Sequence, residues 1–161
     1  MKKSQVAFVC AFLCVDVHAQ SSVTLYGSVD AGVGYVSNLR GAHAFIGQQG
    51  TLQADRWGLT GVEDLGGGFK SVFKLESGFF TINGQMASAG TLFNRQAYVG
   101  LSQSGIGTIT LGRQTDFHFE MLGPMSNAQS FGNFSAFHPG NVNGLGNTLP
   151  VQLSNTVKFR S

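Results

Sequence analysis

Few side chains in this 161-residue chain can do chemistry: 10 are Lys or Arg, 8 are Asp or Glu and 4 are His. At 11% charged residues, against about 25% in an ordinary soluble domain, each charge must act through its position. Lys70, Lys74 and Glu76 alternate with Phe69, Ser71, Phe73 and Leu75. A two-residue period of this kind puts charge on one side of a pleated strand and apolar groups on the other. Such charges can line a wetted wall or pair with neighbouring strands. Asp30 stands in the same way opposite Val23, Leu25, Val29, Ala31, Val33 and Tyr35. Catalytic constellations are missing: there is no Gly-x-Ser-x-Gly elbow and no phosphate-cradling loop, and Gly66-Gly67-Gly68 reads as a tight hairpin turn. His43, His118 and His138 lack metal-ligand spacing and fall in predicted loops. No catalytic residue, cofactor or metal site is expected, and the sequon Asn133-Phe134-Ser135 reads as chance.

The amino terminus explains several of the remaining polar and sulfur groups. Lys2-Lys3, an apolar stretch over 6–15 and the small-residue exit Val17-His18-Ala19 have the three parts of a secretory signal peptide, expected over 1–19. Asp16 is an unusual charge so late in the segment. Cys10 and Cys14 follow Val9 and Leu13, not the small residue that a lipidated cysteine requires. Both leave with the leader, so residues 20–161 have no disulfide or thiol chemistry. Lys2, Lys3 and Asp16 leave too, so that 8 of the 10 basic and 7 of the 8 acidic residues stay. A nearly neutral chain without a Lys/Arg cluster has no electrostatic footprint for nucleic acid.

The charges need a scaffold, and the same alternation supplies it. A mean hydropathy of +0.08, with no apolar run approaching the roughly 20 residues of a spanning helix, excludes a helical membrane protein. The 23 Gly and 14 Phe against three Pro point to punctuated β-structure, not a disordered linker. Alternation predicts about six strands: a long one over 23–35, then 56–62, 69–76, 95–101, 108–113 and 156–160. The connections alternate as well. Those at 63–67 and 103–105 are tight, whereas 37–54, 80–93 and 115–153 are long. Short turns at one end, long loops at the other and an export signal describe an antiparallel up-and-down transmembrane β-barrel of the outer membrane. The other reading is a soluble secreted β-domain that binds a partner, in which a second sheet would cover the Phe69, Phe73 and Leu75 face.

Several blocks then carry a family resemblance. They are Arg56-Trp57-Gly58-Leu59-Thr60-Gly61-Val62-Glu63-Asp64-Leu65-Gly66-Gly67-Gly68-Phe69-Lys70, Val23-Thr24-Leu25-Tyr26-Gly27-Ser28-Val29-Asp30-Ala31-Gly32, Phe73-Lys74-Leu75-Glu76-Ser77-Gly78-Phe79, Arg95-Gln96-Ala97-Tyr98-Val99-Gly100-Leu101 and Gly107-Thr108-Ile109-Thr110-Leu111-Gly112-Arg113-Gln114. In this order the chain resembles the N-terminal part of the Gram-negative general porins, the trimeric diffusion channels of the outer membrane. The resemblance implies roughly sixteen strands around an aqueous lumen, of which about six are present, so that the barrel is incomplete as given and a truncated copy would not function alone. It also implies passive diffusion of small hydrophilic solutes and ions, without cofactor or catalysis. The implied partners are outer-membrane lipid, the barrel-assembly machinery and, at full length, two further copies in a homotrimer.

In such porins the long loop after the fifth strand, here 115–153, folds inward, and wall arginines face loop carboxylates across the constriction. Arg56 matches the wall arginine of the second strand and Arg113 the one closing the fifth. Asp116 and Glu120 are the loop's carboxylates. Asp30, Lys70, Lys74 and Glu76 are expected to line the lumen. The family often has another acid beside the stretch 130–134 and an arginine near Gln152. Neither is present here, which implies a weaker or more anion-favouring field. Arg113 shares the parity of Ile109 and Leu111, so either a bulge re-aims it or it reaches for water at the membrane edge. Trp57, Tyr35 and Phe79 are candidate girdle aromatics.

Overall fold

The computed structural model describes residues 22–50, 52–122 and 151–161. The leader over 1–19, the domain start at residue 20, most of the 115–153 loop with its 130–134 stretch, His138 and the sequon at Asn133 lie outside the described residues. Among the described residues eight strands and one short helix follow in order: β1 Ser22–Ser28, β2 Ala31–Leu39, β3 Ala42–Gln49, β4 Arg56–Gly66, β5 Phe69–Gly78, β6 Gln96–Gln103, β7 Gly107–Thr115, α1 Phe117–Leu122 and β8 Gln152–Arg160. Six of the strands form one antiparallel sheet in the order β1-β4-β5-β6-β7-β8, and β2 pairs only with β3. Among the described residues no helix is long and apolar enough to cross a membrane; β4, β5, β7 and β8, at 11, 10, 9 and 9 residues, have the length that a tilted crossing needs.

The sheet confirms the meander and its alternating connections and corrects its first part. The single strand expected over 23–35 breaks at Val29 and Asp30, and the 37–54 segment expected as loop is largely strand, folded back as the β2–β3 hairpin. Its two-residue turn has left-handed backbone at both Arg40 (φ 55°) and Gly41 (φ 90°), the geometry that matches the natural twist of a hairpin.

Register fixes the two faces. Phe73, Val99, Leu111 and Val157 form one continuous row across β5, β6, β7 and β8, and Leu101, Ile109 and Phe159 form the next. The opposite face carries Thr24, Thr60, Lys74 and Tyr98 in one row and Thr110 and Lys158 in another. Among the described residues no apolar side chain is buried, and the buried side chains are Asp55, Glu76, Ser77 and Gln114. That is the reverse of a water-soluble domain, which buries its apolar groups first. Val99, Leu111, Val157 and Phe159 on that face are exposed, whereas the soluble reading required a second sheet over it. Trp57 and Phe93, with ring centroids 6.2 Å apart, pack edge to face near the loop end of β4.

Two aspartates tie the loop-end segments down. Asp55 Oδ1 accepts the Asp30 N–H at 2.6 Å, Asp55 Oδ2 accepts the Thr81 N–H at 3.2 Å, and Asp30 Oδ2 accepts the N–H groups of Leu52 and Gln53. Asp30, expected to line the lumen, is thus occupied in binding the foot of the hairpin. Burial pushes the Asp55 carboxyl up, but hydrogen bonds from Asp30 and Thr81 outweigh it and hold the group below its ordinary value.

Two outcomes are expected in a full-length barrel carrying this segment. Val99→Arg, in the middle of the apolar face, should destabilise the barrel by about 2–4 kcal/mol in urea titrations in lipid vesicles, whereas Thr24→Arg on the polar face should stay well below that. A carboxylate depressed in the folded chain contributes stability above its unfolded value and loses it as pH falls through the folded one. Protease cleavage within residues 79–95 should therefore rise only once pH falls below the ordinary aspartate value of about 3.9, and Asp55→Asn should show the raised cleavage already at neutral pH.

Candidate functional site: a charged wall on the polar face

The row Tyr26, Gly58, Glu76 and Gln96 crosses β1, β4, β5 and β6 on the polar face. Gly58 in this row has no side chain, and that opening matters. The Tyr26 ring lies across Gly58 and its hydroxyl donates to Glu76 Oε2 at 2.7 Å. A Cβ on Gly58 would stand 2.8 Å from that hydroxyl oxygen and 2.6 Å from the Leu75 carbonyl, so any larger residue would displace the tyrosine.

Glu76 is only 3% exposed and draws in three cations. Arg95 Nε donates to Oε1 at 2.6 Å, while Lys74 Nζ and Arg56 Nε stand 3.8 and 3.9 Å from Oε2. Arg95 grips the same residue through the backbone too, its N–H donating to the Glu76 carbonyl at 3.2 Å. Lys74 also lies over the Tyr26 ring, 5.3 Å from its centroid. With its amide oxygen turned toward Arg56, Gln53 accepts from both terminal guanidinium nitrogens at 2.5 and 3.1 Å. A carboxylate shielded from water needs such partners, since an unpaired charge there is costly. The cluster has three positive charges around one negative, so a field remains.

A second cluster sits where the chain leaves β7. Asp116 donates its N–H to the Val151 carbonyl at 2.8 Å and accepts the Glu120 N–H at 3.1 Å, starting α1. Glu120 then reaches Lys158 at 3.0 Å and Arg160 at 2.5 Å. Both cations belong to polar-face rows of β8, so α1 lies on the polar side of the sheet. A hollow of about 310 Å³ lies here, lined among others by Thr60, Tyr98, Thr110, Gln114, Glu120 and Lys158.

The residues singled out from sequence therefore separate. Arg56, Lys74 and Glu76 come together. Lys70 stands on the same face opposite Asp64 and Ser102, toward the short turns. Asp116 and Glu120 sit at α1, and Asp30 sits in the hairpin foot. Arg113 joins neither cluster: it is in register with Ala97 on the apolar parity, and its guanidinium donates to the Asn94 carbonyl and the Ser154 hydroxyl, both at 2.7 Å. A bulge does interrupt β7–β8 pairing beside it, between Gly112 and Gln114. Arg95, Tyr26, Lys158 and Arg160 were missed as site residues. Arg95 precedes its strand, and only the β5–β6 register, across a connection of 17 residues between Gly78 and Gln96, brings it beside Glu76.

The Gram-negative porin family model matches residues 6–159. An outer membrane porin protein of Bordetella pertussis is 42% identical over 119 residues, which are 65% of this chain and 31% of that protein. The major outer membrane protein P.IB of Neisseria gonorrhoeae is 34% identical over 149 residues, 89% of this chain and 38% of that one. In structure, the anion-selective porin from Comamonas acidovorans superposes with a TM-score of 0.66 at 30% identity, covering 87% of this chain and 42% of its own. The chain thus spans roughly a third of the length of these curated relatives. The lipid-compatible face, the charged opposite face and the match over nearly the whole sequence lead to one conclusion: the chain belongs to the Gram-negative porins, proteins of the outer membrane.

Proposed function

We propose that the chain supplies the N-terminal wall of a passive diffusion channel through which small hydrophilic solutes and ions cross the outer membrane, with anions favoured. The observation that carries this reading is the imbalance of the polar face, where Arg56, Lys70, Lys74, Arg95, Lys158 and Arg160 outnumber Asp64, Glu76 and Glu120. A wetted face with excess positive charge concentrates anions and repels cations. The anion-selective character named for the Comamonas acidovorans protein supports the same direction.

In this reading Arg56 and Arg95 form the positive wall, Glu76 moderates it, and Lys70 and Lys74 line the lumen below. Arg113 contributes at the loop-end rim and Asp116 and Glu120 at the start of the inward loop. Solutes move down their gradients, so neither cofactor nor catalytic group is called for. Outer-membrane lipid covers the apolar face, the barrel-assembly machinery inserts the completed barrel, and three copies assemble.

The test is reversal potential under a salt gradient in planar bilayers, using a full-length barrel in which this segment replaces the matching part of the Comamonas acidovorans porin. Arg56→Gln should move selectivity toward cations and Glu76→Gln toward anions. Each permeability ratio should change by about two- to fivefold, the factor that a unit charge some 5 Å away commands in water. Heat-modifiable electrophoretic mobility reports folding of each variant, and folded variants with unaltered reversal potentials would remove the wall from the mechanism.

A further inference from the structure

Glu120 is expected from the family resemblance to be a carboxylate of the constriction, facing the wall arginines across water. Its surroundings give it another task. Oε1 takes Lys158 Nζ at 3.0 Å and Oε2 takes Arg160 Nη2 at 2.5 Å, so both oxygens are engaged by β8. Lys158 is the better held of the two cations. Its side chain is 12% exposed against 64% for Arg160; its ammonium also donates to the Thr115 carbonyl at 2.6 Å and lies 4.8 Å from the centroid of the Phe117 ring. One lysine thus touches the last residue of β7, the first residue of α1 and the acid one turn later.

We propose that Lys158 is a positioning residue that seats α1 on the polar wall, with Glu120 as its latch, and so fixes where the chain leaving β7 stands over the lumen. The inference rests on the diffusion-channel reading, because the seat matters to function only where a pore runs beside it. Lys158 suits the role physically. An ammonium has three donor directions and no acceptor, and here two of them are used on a carbonyl and a carboxylate while the ring takes the charge from a third side. Partial burial keeps this pair from the screening that makes a fully exposed ion pair weak. Arg160, mostly in water, adds charge but little hold.

Field and seat make opposite demands on mutants, which allows a clean test in the same full-length barrel. Glu120→Gln removes a negative charge and Lys158→Met a positive one, so a purely electrostatic role shifts their reversal potentials in opposite directions. A seat lost in either variant instead raises open-channel current noise in both, by about two- to fivefold, as expected for loss of one modest ion pair. The conservative variant Lys158→Arg, which keeps a cation and donors for both the Thr115 carbonyl and Glu120, should hold the noise near the parent level. Chymotrypsin cleavage at Phe117 and Phe119, measured on heat-modifiable folded protein, should rise in both Glu120→Gln and Lys158→Met and stay near the parent level in Lys158→Arg. Parental noise and parental cleavage in both Glu120→Gln and Lys158→Met would overturn the inference. A folded parent barrel that does not conduct would overturn the diffusion-channel reading instead, and the cleavage assay would still decide the seat.

Discussion

Hydrocarbon offers a backbone no hydrogen-bonding partner, so every N–H and C=O at membrane depth must be satisfied by another strand. The rest of this structure depends on that constraint. It requires a sheet with continuous ladders, and the ladders impose a strict period of two on the side chains. One face can then be given to lipid and the other to water. In a soluble protein the apolar face would have to be covered, and a core would form. Here the lipid is the cover: Val99, Leu111 and Val157 stand more than half exposed in one row, and the groups shielded by protein are polar. Solvation is turned inside out, and the burial of Glu76 and Gln114 follows from it.

Polar groups shielded in this way must satisfy one another, and that shapes the wall. Gln114 illustrates the rule on a small scale: its amide oxygen accepts the Thr110 hydroxyl at 2.5 Å, and its nitrogen donates to the carbonyls of Thr110 and Thr156. Glu76 illustrates it with charge. Three cations close to one another on a wall repel, at about 4 kcal/mol for a pair at 4 Å where the effective dielectric is about 20. A carboxylate among them lets them stay. The acid therefore makes a dense positive wall possible while only partly cancelling it. Tyr26 orients that acid, and the missing side chain at Gly58 is what lets the tyrosine reach it.

Much of this was legible in the sequence because parity survives without knowledge of neighbours. Lys70, Lys74 and Glu76 share a face by counting alone, as do Ile109, Leu111 and the anomalous Arg113, and the structure keeps all of them at that parity. The first strand was misread for an equally local reason. Alternation runs unbroken from Val23 to Tyr35, yet Asp30 turns its carboxylate to the N–H groups of Leu52 and Gln53 and its own N–H to Asp55, so the chain breaks where the pattern does not. The β3 segment, with Phe45 and Ile46 adjacent and only Gly47, Gln48 and Gln49 after them, carries too weak an alternation to declare itself. Register across long connections was not legible at all. Arg95 meets Glu76, and Lys158 meets Glu120, only once strands distant in sequence are paired.

The two charge clusters differ in a way that follows from where their members sit on the ladders. Around Glu76 most groups belong to strands already fixed by backbone pairing, so the ion pairs act on the field and add little to the geometry. Around Glu120 the acid belongs to a six-residue helix, far below the length at which a helix is stable alone. Among the described residues, α1 is tied to the wall by the backbone bond from Asp116 to Val151 at its start and by the side-chain contacts of Glu120 and Phe117 with β8. Identical ion-pair chemistry therefore has different consequences: on the strands it tunes a potential, and on the short helix it settles a position. A channel wall can lose a charge and keep its shape, whereas a segment seated by a lysine and an acid has its place decided by that contact.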